Sequence, residues 1–469
     1  MSVISKIKAS AKKGLGECQV FLRIQSVYLL FCFIFSQKNK SNVHSFFAND
    51  KMLLKGLERV WNMKKVTFIH AADLHLDSPM TGLKHIPEKI AKRLRESTFR
   101  SLNKIVNAAI QYDVDFLILA GDLYDGEDRS LRAQSIFRKE MKRLADKGIP
   151  VYAIHGNHDH LNGTWVQIDM PNDFHTFSTE VEVKQIQVKS GATVNIYGFS
   201  YPVRHVTEKK IDDYKREDNA DYHIGVLHGH DGGSSEHGKY APFLLTDLIS
   251  KNFDYWALGH IHKRSILNQE PPIIYSGNIQ GRNRKETGEK GCYLVSLGDT
   301  GSTYEFMNMA DIIWDSVIID GSEANTIEEI LSLCHTEIEK HRVDGRGSII
   351  SLRLENIQLK EIDVVNHNLY SEILDLLQEG EEEEESFVWI TNIMIDDKIQ
   401  TSREELRKKA GFYGDLFKTI DQYDEIHHTL SPLYEHNQAR KFLEGLSKLE
   451  EEEILQKAET TLLRLLSSL

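Results

Sequence analysis

From Met63 onward the apolar positions of the chain follow two alternating periods. Continuous apolar runs predict buried strands at Lys65–Ala71 (KVTFIHA), Val114–Ala120 (VDFLILA) and Val151–His155, because a strand covered on both faces shows no polar alternation. Between them, Glu88–Tyr112 sets Ile90, Leu94, Leu102, Ile105, Val106 and Ala109 on one side of a helix, and Arg129–Lys147 repeats the amphipathic spacing. Shorter strands are predicted at Thr193–Phe199, Tyr222–Leu227, Asp254–Leu258 and Ile273–Tyr275. The early part is βαβ and the later part mostly β. That order predicts an α/β chain whose core is a layered β-sandwich flanked by helices.

After about residue 303 the texture changes. Strand-like segments at Ile312–Ile319, Ser348–Leu354 and Phe387–Ile395 alternate with helical ones at Ile327–His341 and Val364–Leu377, which predicts a small α/β domain over 303–400. The run Glu379–Glu385 reads as a solvated acidic loop. From Ser402 the sequence is charged and helical to Leu469. Its last part sets Leu443, Leu446 and Leu449 on one stripe and Leu455, Leu462 and Leu466 on another. Such a helix needs cover, from its own domain, a second copy or a partner.

Residues 1–62 differ from the rest. They pair a basic start (Lys6, Lys8, Lys12, Lys13) with one apolar run of nine residues, Val27–Phe35, too short for a membrane span of roughly 20 residues. No small-residue cleavage site follows it. The segment reads as a translation start assigned too far upstream of Met63, as a signal or anchor, or as a genuine extension, with the first preferred. The chain thus divides into 1–62, a core of 63–302, a small domain of 303–400 and a helical region of 401–469.

Composition refines this picture in two places. The four cysteines form no CxxC pair, which points to a reducing, cytoplasmic setting and against a zinc ribbon or disulfide scaffold. The net charge of −13 is uneven: 1–62 carries 10 basic and 3 acidic groups, 63–300 carries 31 of each, and 301–469 carries 16 and 36. With the middle balanced and some of its acids candidate metal ligands, the total does not exclude a nucleic-acid substrate.

The chemistry sits in the loops after successive strands. The first strand runs into Ala72-Asp73-Leu74-His75, the second into Gly121-Asp122, and the third into Gly156-Asn157-His158-Asp159. Two later strands end in His228-Gly229-His230 and Gly259-His260-Ile261-His262. Five loops on one edge of a sheet can converge on one site. Two neighbouring cations need a carboxylate between them, and Asp122 is the natural bridge because a glycine allows close approach. Asp73, His75 and His262 can fill one position; Asn157, His228 and His260 can fill the other. Mixed nitrogen and oxygen donors without thiolate favour manganese, iron or zinc over calcium. Each motif alone is explained by caps and turns. Five in order, each at a strand end, are not.

The blocks AADLHLD, GDLYD, GNHD, LHGH and GHIH resemble the five signature motifs of calcineurin-like metallophosphoesterases. The wording of the first, with a basic helix after it, resembles the SbcD-type DNA-repair exonucleases and their YhaO-like branch. The resemblance covers about residues 63–300, and the following domain resembles that family's capping domain. It implies two manganese ions on Asp73, His75, Asp122, Asn157, His228, His260 and His262, with His158 assisting catalysis without binding metal. His158 would stabilise developing charge or protonate the leaving 3′-oxygen. Asp159 orients a neighbour rather than binding metal, and His230 is a bystander or a substrate contact. One departure stands out. Where family members often have a second non-ligand histidine, this chain has Asp125, which bears against efficient exonuclease action on duplex ends but not against two-metal hydrolysis.

The segment Gly277–Gly291, with Arg282, Arg284 and Lys285, reads either as a phosphate-contacting loop or as a hairpin of solvated charges. Lys89, Lys92, Arg93, Arg95 and Arg100 offer a second track for a DNA backbone. The leading expectation is a metal-dependent DNA exonuclease or endonuclease working with an SMC-like ATPase that the C-terminal helices bind, away from membranes. A phosphodiesterase or phosphatase for small nucleotides or phosphoproteins is the alternative. A non-enzymatic scaffold sits poorly with an intact ligand set.

Overall fold

The computed structural model describes residues 64–434 apart from 81–82, 84–85, 127–129, 164–165, 167, 233–239, 358–366, 397–410 and 424, with isolated positions between 451 and 462. Residues 1–62 and most of the leucine stripes beyond 434 therefore lie outside the described residues. The chain forms two compact units. The smaller draws on 1–66, 189–192 and 298–301, and within it the Ser190 hydroxyl donates to the Lys65 carbonyl at 2.6 Å. The larger holds the remainder, including every candidate site residue.

The chain order is β1 (Lys65–Ala71), α1 (Glu88–Gln111), β2 (Phe116–Ala120), α2 (Leu131–Ala145), β3 (Val151–Ile154), β4 (Phe174–Thr176), β5 (Glu182–Gln187), β6 (Thr193–Gly198), β7 (Tyr222–His228), α3 (Leu245–Ser250), β8 (Tyr255–Gly259), β9 (Ser265–Gln269), β10 (Pro272–Tyr275), β11 (Gly291–Gly298) and β12 (Gly301–Asn308). There follow β13 (Ile312–Asp320), α4 (Ile327–His341), β14 (Gly347–Glu355), α5 (His367–Gln378), β15 (Val388–Asp396), α6 (Phe412–Asp421) and α7 (Ile426–Tyr434).

Two six-stranded sheets, ordered β12-β11-β1-β2-β3-β4 and β5-β6-β7-β8-β10-β9, make the layered core. Their centres are parallel, with Ile118 opposite His70 and Tyr152, and His228 opposite Gly259. Between the layers Phe68 stacks on Phe116 and meets the edge of Tyr255, whose hydroxyl lies 3.0 Å from His70 Nδ1. The outer face of the first sheet is covered by α1 and α2, whose Leu102, Ile105, Val106, Phe137 and Met141 join one cluster with Leu117 and Leu119. Each such side chain, moved from water into this layer, stabilises the fold by roughly 1.5–3 kcal/mol. Ser130 starts α2 by accepting the Ala133 N–H at 3.0 Å.

A third, all-parallel sheet, β13-β14-β15, packs one face on α4 and α5. Its other face meets the start of α1, where Ile90 and Leu94 bury against Ile312, Trp314, Phe387 and Trp389. The boundary expected after residue 302 falls inside β12, a strand of the first sheet. Strands β4, β5, β9, β11 and β12 were not expected from the sequence. They include short or edge strands, such as β5 and β12, that mix polar and apolar residues with no buried run.

Two expectations about charge need correcting. Helix α1 does not offer Arg93 to a DNA backbone: that guanidinium is buried, donating to both oxygens of Asp311 (3.0 and 3.3 Å), to the Gly345 carbonyl (2.9 Å) and to the Glu385 carbonyl. Lys89 and Arg95 pair with Glu383 and Glu88 at the surface. The acidic run is not wholly solvated either. Glu381 is buried in a short 3₁₀ turn, where it takes Arg342 and the Val388 N–H. Among the described residues no helix is long and apolar enough to cross a membrane, and Cys292 and Cys334 are buried free thiols.

Candidate metal centre

The structure brings the seven residues expected as ligands to one edge of the paired sheets. Asp73 and His75 follow β1, Asp122 follows β2, Asn157 follows β3, His228 ends β7, and His260 and His262 follow β8. The backbone makes room for them. Gly121 takes φ +93°, and a Cβ there would stand 2.3 Å from His228 Nδ1; a Cβ on Gly156 would stand 2.2 Å from Asp122 Oδ1. Only glycine lets these loops approach so closely.

The side chains form two groups sharing Asp122. In the first, His75 Nε2 and His262 Nε2 are 3.0 Å apart, and His75 Nε2 is 3.7 Å from Asp122 Oδ2. Asp73, His75 and His262 present donor atoms within 4.8 Å of one another. In the second, His228 Nε2 lies 3.0 Å from Asn157 Oδ1 and 3.4 Å from Asp122 Oδ2, while His260 Nδ1 lies 3.2 Å from Asn157 Oδ1. Two donors on one ion at ordinary bond lengths stand about 2.9–3.4 Å apart, so the closer of these spacings are compatible with donors gathered around a cation. Asp122 Oδ2 faces both groups, the position a bridging oxygen must have.

Charge points the same way. Asp73 and Asp122 are almost wholly buried, and among the described residues no lysine or arginine pairs with either. A buried carboxylate without a cation is costly. Without a metal, that need falls on the histidines. Burial disfavours a charged His228, but the carboxylates of Asp122 and Asp73 outweigh it and raise its pKa to about 9. Asp122 is held far below the usual carboxylate range, because His228 and His75 overcome its burial. Burial, with charged His228 beside it, pushes His260 down to about 3. The donor set therefore fits a pair of divalent cations.

The other expected residues take distinct places. His158 is half-buried; its N–H donates to Asp122 Oδ1 at 2.9 Å, and its Nδ1 lies 3.1 Å from the Asp125 carbonyl. Asp159 is fully buried and holds the loop rather than reaching the cation positions: it accepts the N–H groups of Gly156 (2.8 Å) and Leu123 (3.0 Å) and lies 2.9 Å from His155 Nδ1. His230 is buried beside the site, its ring 6.3 Å from that of His260. Arg282 is not a solvated charge but pairs with Asp125 and Glu286, whereas Arg284 and Lys285 are exposed.

Two carboxylates stand behind the candidate ligand histidines: Asp125, which the sequence placed at a histidine position of the site without this role, and Glu286, which sequence reasoning missed. Asp125 Oδ1 is 3.0 Å from His75 Nδ1, and Glu286 Oε1 is 2.8 Å from His262 Nδ1. Burial works against ionising both, yet His75 and Arg282 lower Asp125, and His262 and Arg282 hold Glu286 far below its ordinary value. No spacing signal could have found Glu286, which follows the histidine by 24 residues.

Comparison with known proteins fits this geometry. The profile of the calcineurin-like phosphoesterase family matches residues 66–264. The chain is 41% identical over 406 residues to the "uncharacterized metallophosphoesterase YhaO" of Bacillus subtilis, an alignment covering 86% of this chain and 98% of that one. It is 24% identical over 392 residues to the "DNA double-strand break repair protein Mre11" of Methanococcus maripaludis, covering 76% of this chain and 96% of the relative. The protein of that name from Sulfurisphaera tokodaii is 22% identical over 338 residues, covering 65% and 79%.

Proposed function

Since the chain belongs to the calcineurin-like phosphoesterases, a family of metal-dependent hydrolases, we propose that its substrate is DNA and that it acts in DNA repair as an exonuclease or endonuclease charged with two manganese ions. The observation that carries this reading is the reach of the Mre11 similarity. It extends over 392 residues, well beyond the 66–264 segment the family profile matches, and so takes in part of the small α/β domain. An enzyme for small phosphoesters has no need of that addition.

Asp73, His75, Asp122 and His262 would hold one ion, and Asp122, Asn157, His228 and His260 the other. Bound there, the ions would supply Lewis acidity to the phosphoryl oxygens and to the attacking water. The protein's own groups do the rest. Asp122 ties the two positions together and fixes the backbone of His158. A carbonyl only accepts, so the contact with Asp125 requires the proton on His158 Nδ1. That leaves Nε2 to exchange a proton, and the charged ring donates it to the departing 3′-oxygen. At position 125 an acid stands where a second histidine would add positive charge, which favours a narrower range of DNA ends.

Manganese-dependent degradation of labelled duplex and single-stranded DNA, run beside a nitrophenyl phosphodiester and a phosphomonoester, tests the reading. DNA cleavage is expected. Hydrolysis of the small esters with both DNAs left intact would replace it with the small-nucleotide or phosphoprotein alternative. As partner we propose an SMC-like ATPase that takes the C-terminal leucine stripes, in place of a homodimer contact. Deleting Ser431–Leu469 should then abolish co-purification with the ATPase while small-diester hydrolysis continues; undiminished binding would rule the docking out.

A further inference from the structure

The two cation positions differ in what stands behind their histidines. On one side each imidazole is backed by a full negative charge: Asp125 Oδ1 lies 3.0 Å from His75 Nδ1, and Glu286 Oε1 lies 2.8 Å from His262 Nδ1. Arg282 links the two acids, its guanidinium contacting Asp125 and lying 3.4 Å from Glu286 Oε1. The other oxygen of Glu286 accepts the Arg282 N–H and the Asn278 amide, both at 2.8 Å, so the carboxylate cannot swing away. Behind the second position, among the described residues, no carboxylate comes so close to an imidazole. His228 Nδ1 meets the Ala120 carbonyl at 3.0 Å while Asp73 Oδ1 stands off at 3.8 Å, and His260 turns its own Nδ1 toward Asn157 Oδ1.

We propose that Asp125 and Glu286, cross-linked by Arg282, are positioning residues that make the His75–His262 position the tighter of the two metal sites. A carboxylate accepting from Nδ1, as Glu286 does from His262, fixes the tautomer with a lone pair on Nε2 and raises the basicity of that nitrogen, whereas a neutral carbonyl does the first and little of the second. Asp125, 3.0 Å from His75 Nδ1 but not aligned for a hydrogen bond, acts on its histidine through its charge. Both Nε2 atoms face each other across 3.0 Å, so the effect is applied twice to one ion. Arg282 has its own part. Two further carboxylates beside Asp73 and Asp122 would repel one another, and the guanidinium neutralises that excess while holding their spacing. The acid at position 125 thus serves His75 rather than the substrate.

The inference rests on the two-metal reading above, and the experiment keeps the two apart. Metal-free full-length protein is titrated with Mn²⁺, and free ion is followed by its electron paramagnetic resonance signal. The parent should bind two ions of unequal affinity. Glu286→Gln keeps the shape and an acceptor oxygen but removes the charge, and should weaken the tighter ion by about 10–100-fold while leaving the weaker one unchanged. Asp125→Asn, on a separate loop, should do the same. Circular dichroism of each metal-free variant checks that it is folded, and either folded variant suffices for the test. A parent that binds fewer than two ions would sink the two-metal reading. A two-ion parent whose folded variants lose nothing, or lose both affinities equally, would overturn this inference alone.

Discussion

Replacing Asp159 should loosen the centre without touching a proposed ligand. Its carboxylate is fully buried and serves three donors: Gly156 N–H at 2.8 Å, Leu123 N–H at 3.0 Å and the His155 ring at 2.9 Å. Asp159→Ala strands the two backbone N–H groups and removes one partner of the His155 ring, at roughly 1–3 kcal/mol for each buried group left unsatisfied. Allowing for water entering the gap, the loss is about 3–6 kcal/mol, a large share of the ~5–15 kcal/mol that holds a typical domain. Asp159→Asn retains one acceptor oxygen and turns amide hydrogens toward a backbone N–H, so its cost should fall between parent and alanine. Urea unfolding followed by tryptophan fluorescence measures this. The protein must be metal-free, because bound ions stabilise the folded state by mass action. Because Gly156 precedes Asn157 and Leu123 follows Asp122, metal affinity should fall in parallel. An alanine variant within about 1 kcal/mol of the parent would refute the reasoning.

Asp122→Ala should lose both ions yet stay folded, since its Oδ2 lies within 3.7 Å of His75 Nε2 and 3.4 Å of His228 Nε2, one in each donor group; elemental analysis finding two retained ions would contradict the bridge. His158→Gln should keep both ions and lose activity by about 10²–10⁴-fold if it is the general acid, and loss of metal instead would make it a ligand. Arg93→Met leaves Asp311 buried with weaker partners and should cost about 3 kcal/mol, most of it recovered by adding Asp311→Leu; a urea midpoint unmoved by the single change would place the cap's anchor elsewhere. The carboxylates of Asp122 and Asp73 raise the His228 pKa to about 9 when no metal is bound. A raised folded pKa gives stability that is complete below the unfolded value and lost as pH climbs through the folded one. Metal must expel the same proton, so affinity should rise from neutral pH toward 9, with proton release seen by calorimetry in buffers of different ionisation enthalpy. Affinity flat across that window would count against it.

What could be read from the sequence was whatever depends on local order. The central strands announce themselves because both faces are covered, and the loops because a glycine, an acid and a histidine follow a buried run. What could not be read depends on partners distant in the chain. Arg93 and Arg95 look alike in sequence, yet one is buried against Asp311 and the other pairs at the surface. Glu381 is one of a run of acids, and only Arg342 selects it for burial. Strand β12, at the edge of its sheet, buries no residue fully and so carries no apolar run to announce it. The link from Glu286 to His262 has no trace in spacing at all.

The same distinction explains why the centre should outlast its metals. Asp73, His75, Asp122 and His260 all have positive φ, at 51°, 41°, 49° and 97°. Aspartate and histidine tolerate the left-handed region better than most residues, though each such position still costs on the order of 1–3 kcal/mol and persists only where its surroundings over-determine it. Here they do. The β1 and β2 loops are stitched together beyond the sheet by Asp73 N–H to the Gly121 carbonyl, His75 N–H to that of Asp122 and Leu76 N–H to that of Leu123, at 3.0–3.1 Å. The Asp73 carboxylate in turn accepts the N–H of His260, the most strained of the four, at 3.0 and 3.2 Å. The donors are thus held in place by backbone bonds of the chain itself. Asp73→Ala should for that reason do more than delete one ligand, because it also frees His260 to relax away from Asn157.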